Sequence, residues 1–180
     1  MKPQLVALLE AMKALGLKPM HELSPVDARE QMEAGVRARD NPAIELGSIE
    51  ELTVPGPAGD IPVRLYRPQG ATGPLGALVY YHGGGHVVGS MDTHDYACRA
   101  ICRDAGIVVM SVDYRMGPEA RFPAAVDDCY AATKWLSENA ESMGVRADRI
   151  AVGGDSAGGN LALVISLMAR DDANGPAIAY

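Results

Sequence analysis

The sequence predicts an α/β fold, in which a mostly parallel sheet follows an antiparallel hairpin and two leading helices. Uninterrupted apolar strands such as Ile107-Val108-Val109-Met110-Ser111-Val112 belong in a parallel sheet covered by helices on both faces. From residue 76 onward, strand patterns alternate with helical ones, the order of βαβ units. A chain of 180 residues with 48% hydrophobic and 22% charged residues, 20 Gly and 12 Pro, has the profile of a turn-rich globular protein and is too short for two full domains.

Residues 3–17 carry Leu5, Leu8, Leu9, Met12 and Leu15 at three- and four-residue spacing, which predicts an amphipathic helix ended by Gly16. A second helix starts where Ser24 caps, Pro25 takes the first helical position and Asp27 completes a capping box; it runs to about Arg39 and is stopped by Asn41-Pro42. These two helices make up residues 1–45. Alone they bury little, so they are expected to pack on the rest as part of a cap. Residues 46–180 hold the sheet. Strands at 49–54 and 61–66 flank a Pro/Gly loop and form the hairpin; further strands fall at 76–81, 107–112 and 149–153, with helices at 93–105, 123–139 and 157–169. Residues 176–180 read as the approach to another strand.

Lys and Arg number 16 against 23 Asp and Glu, a formal charge of −7. Such a surface repels phosphate backbones and anionic lipid, so nucleic acid is not an expected partner. The longest apolar run, residues 161–169, falls short of the ~18 needed to span a bilayer. The Leu-rich start is broken by Glu10 and Lys13, unlike a signal-peptide core. The expectation is a soluble, cytoplasmic protein. The three cysteines, Cys98, Cys102 and Cys129, form no CxxC pair and read as small buried hydrophobes.

Two segments carry chemistry. Gly154-Asp155-Ser156-Ala157-Gly158 fits G-x-S-x-G between a predicted strand and a predicted helix. A serine hydroxyl needs a base to take its proton, so it must stand clear of the sheet, and a sharp elbow achieves this. Small residues two before and two after the serine let strand and helix approach. The following helix brings its positive end to the developing oxyanion. A phosphate-binding loop is the alternative, but the run continues Gly159-Asn160 without the Lys and Ser or Thr of a P-loop. The second segment is His82-Gly83-Gly84-Gly85, where backbone N–H groups without Cβ atoms can close on a carbonyl oxygen. A dinucleotide loop is disfavoured there because the strict glycine pattern fails at Val88 and no acidic ribose ligand follows at the right distance.

Together with Asp113-Tyr114-Arg115, Pro118-Glu119 and Phe122-Pro123-Ala124, these segments resemble the hormone-sensitive-lipase family of α/β-hydrolases, carboxylesterases marked by HGGG and GDSAGG. The similarity runs from about Ile49 to the end. It implies an α/β-hydrolase fold and a serine carboxylesterase acting on short- to medium-chain acyl esters through an acyl-enzyme, with neither cofactor nor metal. By the same resemblance Ser156 is the nucleophile, the N–H groups of Gly83, Gly84 and Ala157 form the oxyanion hole, and His82 and Gly85 belong to the loop motif, His82 ordering it without being the triad base. His86 stands where relatives carry an aromatic residue, and with Val87 it is expected to line the substrate pocket.

The family order is Ser, then Asp or Glu, then His, and no histidine follows Ser156. The chain is therefore expected to be the N-terminal part of an esterase, truncated before the last strands. A missing C-terminal segment or second polypeptide would supply the triad acid and histidine, and the 180 residues alone would be inactive. The alternative is a catalytically silent ligand-binding member of the fold. Asp171 and Asp172 read as solvated helix-end residues, and His94 as a surface or cap contact. Asp113 and Arg115 are expected to pair or to brace the loop before Pro118, Asp127 and Asp128 to complement a helix dipole, Trp135 with Tyr130, Ala131 and Leu136 to sit in the core, and Asp155 to order the oxyanion loop.

Overall fold

Among the described residues, five strands form one sheet. The computed structural model describes residues 2–14 and 16–179, with the side chains of Leu8 and Met12 outside that description. The elements are α1 (Pro3–Ala14), α2 (Pro25–Arg37), β1 (Ser48–Val54), β2 (Ile61–Arg67), β3 (Leu75–Tyr81), α3 (Asp95–Ala105), β4 (Val108–Val112), α4 (Ala124–Glu138), β5 (Val145–Gly154) and α5 (Ala157–Asp171). The hairpin β1–β2 is antiparallel and joins β4 antiparallel. Strand β3 lies between β4 and β5, parallel to both. This is the expected mixed, mostly parallel sheet.

The apolar run of β4 is buried at every position. Its side chains alternate between two cores. Val108, Met110 and Val112 join Leu136 of α4 and Leu161 and Ile165 of α5 on one face. Val109 joins Tyr66, Tyr80 and the α3 thiols Cys98 and Cys102 on the other. Burial raises both thiols, Cys102 to about 11, so neither is a thiolate near neutral pH. Trp135, Tyr130 and Ala131 pack against the larger core, as their spacing predicts.

Three departures from the sequence reading have physical reasons. Strand β5 starts at Val145, not near residue 149, because Val145 pairs with Leu75 before a register shift. The exposed Arg146-Ala147-Asp148-Arg149 excursion at that irregularity looks like loop in sequence. Helix α1 leaves Leu5, Val6 and Leu9 exposed, so the expected apolar stripe is uncovered where described; Leu15 and the side chains of Leu8 and Met12 lie outside the described residues. Helix α2 does dock, through buried Ala28. At its start Ser24 Oγ accepts from Asp27 N (3.2 Å) and donates to the Asp27 carboxylate (2.7 Å), a local cap without the reciprocal bond of a full capping box. Beyond α5, Ile178 makes a parallel bridge with Ile150, and Ala179 N donates to Ile150 O (2.7 Å). The expected approach to a further strand is thus seen up to Ala179, Tyr180 lying outside the described residues.

Candidate active site

Parallel pairing of β3 and β5 aligns Tyr81 with Gly154, so the segments leaving the two strands emerge side by side. One is His82 to Gly85, the other Asp155-Ser156 leading into α5. Ser156 takes φ 51°, ψ −115°, a conformation rare for a residue with a side chain. It leaves the serine exposed at the turn. The turn requires bare glycines on both sides: a Cβ on Gly154 or on Gly158 would overlap the Tyr81 carbonyl oxygen. Gly158 N donates to Asp155 O (2.8 Å) and Asn160 N to Ser156 O (3.1 Å), closing the first turn of α5. Ala157, the first residue of that helix, keeps an N–H with no carbonyl four residues back.

The glycine loop is held from beneath and from one side. His82 is fully buried, with Nδ1 2.8 Å from Gly83 O and its ring stacked on Tyr114 at 4.4 Å. Tyr114 Oη donates to His82 O (2.6 Å). Burial, opposed by the Gly83 carbonyl and assisted by His94, pushes the His82 imidazole down to about 4, so it is neutral near pH 7. Asp155 Oδ1 accepts from Gly83 N (2.9 Å) and from Tyr80 Oη (2.8 Å). Burial raises that carboxyl, but the Tyr80 hydroxyl, His94 and Gly83 N–H outweigh it and leave it below the ordinary value. Asp155 does order the loop.

The Asp155 bond corrects one expectation. With its N–H donated to Asp155, Gly83 has none left for an oxyanion. Gly84 and Gly85 follow at φ 126° and 63°, and among the described residues neither N–H has an acceptor. A Cβ on Gly84 would overlap the Val88 carbonyl oxygen, so the loop closes tightly only with glycine there.

His86 and Val87 line an apolar cleft of about 630 Å³ with Phe122, Val126, Asn160 and Leu161. Ser156 is not in its wall. Helix α2 reaches this region through Arg29, whose guanidinium donates to Val87 O (2.7 Å), Gly117 O (2.7 Å) and both Glu119 oxygens (2.9 and 2.7 Å). Arg115 does not pair with Asp113. Its backbone N–H (3.0 Å) and guanidinium (2.8 and 2.7 Å) bind Asp128, which is buried and so does more than complement a helix dipole. His94 is not a surface residue either: its Nε2 lies 3.2 Å from Asp155 Oδ1 and its side chain is 12% exposed. Neither contact has a local sequence signal, since each joins distant segments. Among the described residues, Ser156 Oγ makes no hydrogen bond, no three His, Cys, Asp or Glu side chains are grouped to hold a metal ion, and no helix is long and apolar enough to cross a membrane.

A strand-to-helix serine elbow beside a glycine loop, on a mostly parallel sheet, defines the class. A family model of the alpha/beta hydrolase fold matches residues 78–180. The chain belongs to that family, in the hormone-sensitive-lipase branch that its HGGG and GDSAGG motifs mark. It is 51% identical over 149 residues to a carboxylic ester hydrolase, LipN, of Mycobacterium tuberculosis, a match covering 82% of this chain and 39% of the relative. To the ethyl acetate hydrolase of Pseudomonas putida it is 43% identical over 173 residues, 92% of this chain and 54% of that one. A hyperthermophilic esterase from Pyrobaculum calidifontis superposes with a TM-score of 0.88 at 42% identity, over 99% of this chain and 56% of its own. The chain thus spans about half the length of these relatives.

Proposed function

We propose that this chain carries the nucleophile and oxyanion half of a serine carboxylesterase acting on short- to medium-chain acyl esters. Ser156 Oγ attacks the ester carbonyl carbon, its proton passing to a base, and the carbonyl oxygen becomes an oxyanion. The N–H groups of Gly84, Gly85 and Ala157 receive that charge, with the start of α5 adding its dipole. Gly83 is the anchor of the loop rather than a donor. Collapse of the tetrahedral species breaks the ester C–O bond, the base returns its proton to the leaving alcohol, and water then attacks the acyl-enzyme. The base and its acid are assigned to residues outside this chain, in a further segment or a second polypeptide. Residues 1–45 act as part of a cap, tied down through Arg29.

The single observation that carries this reading is the exposed Ser156 at φ 51°, beside a glycine loop whose Gly84 and Gly85 N–H groups have no acceptor among the described residues. Names of similar proteins, a carboxylic ester hydrolase and an ethyl acetate hydrolase, support ester chemistry. The test is hydrolysis of p-nitrophenyl butyrate by the full-length protein, meaning this chain with any further sequence its gene encodes. Turnover lost in Ser156→Ala supports the reading. A second reading, a silent ligand binder, is favoured by the absence of any imidazole bonded to Ser156 Oγ among the described residues. Saturable binding of an ester that is never cleaved would select it.

A further inference from the structure

Two hydrogen-bond donors and one imidazole converge on one carboxylate oxygen beside the nucleophile. Asp155 Oδ1 receives the Tyr80 hydroxyl from the end of β3 and Gly83 N–H from the glycine loop. His94 Nε2, just before α3, lies 3.2 Å away. A carboxylate only accepts, so His94 Nε2 carries a proton for this contact to be attractive. The other side of the ring is provided for in either protonation state: Nδ1 lies 2.9 Å from Thr93 Oγ1, which can donate to it, and 3.3 Å from Ser90 O, which can accept from it. Ser90 and Thr93 are themselves locked together, Ser90 N donating to Thr93 Oγ1 (2.8 Å) and Thr93 N to Ser90 Oγ (3.2 Å). The ring is confined by His82, at a centroid distance of 5.5 Å, and Tyr80, at 6.2 Å.

We propose that His94 is a positioning residue for ester hydrolysis, fixing the Asp155 carboxylate so that it holds Gly83 N–H and thereby aims the N–H groups of Gly84 and Gly85. This rests on the serine-esterase reading of the site. The side chain of Asp155 is 51% exposed, and among the described residues its second oxygen has no partner. Water therefore competes to rotate it. Loss of the His94 contact frees the carboxylate, and a loop of consecutive glycines has little internal resistance to turning its amides away. Misaimed donors weaken transition-state binding more than substrate binding.

The test is steady-state hydrolysis of p-nitrophenyl butyrate by the full-length protein. His94→Leu is expected to lower kcat about tenfold with KM within about twofold, less than the ~10²-fold cost of deleting an oxyanion donor outright. His94→Gln, whose amide nitrogen can donate to Asp155, is expected to recover most of kcat. In an Asp155→Ala background, His94→Leu should cost little more, because the path it acts through is gone. An unchanged kcat in His94→Leu, equal losses in the Leu and Gln variants, or fully additive losses with Asp155→Ala would each overturn the proposal. If Ser156→Ala retains turnover, the esterase reading itself fails and takes this inference with it; loss of turnover in Ser156→Ala with wild-type kcat in His94→Leu rejects the His94 role alone.

Discussion

Acidification should destabilise this protein through His82 specifically. An unfolded chain takes up a proton on histidine below about 6.5, whereas buried His82 stays neutral until about 4. Between those values the unfolded state binds more protons, so stability falls as pH falls, and the loss is complete once the folded imidazole also protonates. The full difference corresponds to about 3 kcal/mol, of which about 2 kcal/mol is lost by pH 5. Urea unfolding of the wild type and of His82→Asn at pH 7.5 and pH 5 isolates it, because His21, His86 and His94 are common to both proteins. The wild-type midpoint should drop by roughly 1 M more than the variant's over that interval, at a slope of about 2 kcal/mol per M. Parallel shifts in the two proteins would mean that His82 is charged or solvated in the fold, refuting its description as a neutral brace stacked on Tyr114.

Replacing Gly84 with Val forces a Cβ into the Val88 carbonyl at φ 126° and should lower kcat on the order of 10²-fold, with a smaller effect on KM; an unchanged kcat in a folded variant would reject the oxyanion role of the loop. Asp128→Ala leaves the Arg115 backbone N–H and guanidinium without their shared acceptor and should cost about 2 kcal/mol in urea unfolding, a negligible loss showing that the pair does not brace the loop. The 180 residues expressed alone should give essentially no Ser156-dependent hydrolysis of p-nitrophenyl butyrate, since no base contacts Ser156 Oγ among the described residues. Clear turnover lost in Ser156→Ala would instead place a working base within this chain.

What was legible in the sequence is what local pattern encodes. The apolar runs of β3 and β4 announce a buried parallel sheet, and Gly154 to Gly158 announces an elbow because strand and helix cannot meet there with side chains in the way. The exposed, mostly charged residues 146–149 concealed the start of β5, since an excursion at a register shift has the polarity of a loop. The motif HGGG marks a flexible backbone next to the serine, yet it does not state which way each N–H points. The structure shows the Gly83 N–H donated to the Asp155 carboxylate, a contact the motif alone does not specify. Polar contacts between distant segments, Arg29 with Glu119, Arg115 with Asp128 and His94 with Asp155, leave no periodicity or spacing behind. Only the folded sheet brings them together.

The most direct test of the account is the mass of the full-length protein after incubation with a fluorophosphonate, followed by peptide mapping. A single adduct on the peptide containing Ser156, absent in Ser156→Ala, is the predicted result. Undiminished labelling of Ser156→Ala, or labelling at another residue, would contradict the assignment of Ser156 as the nucleophile.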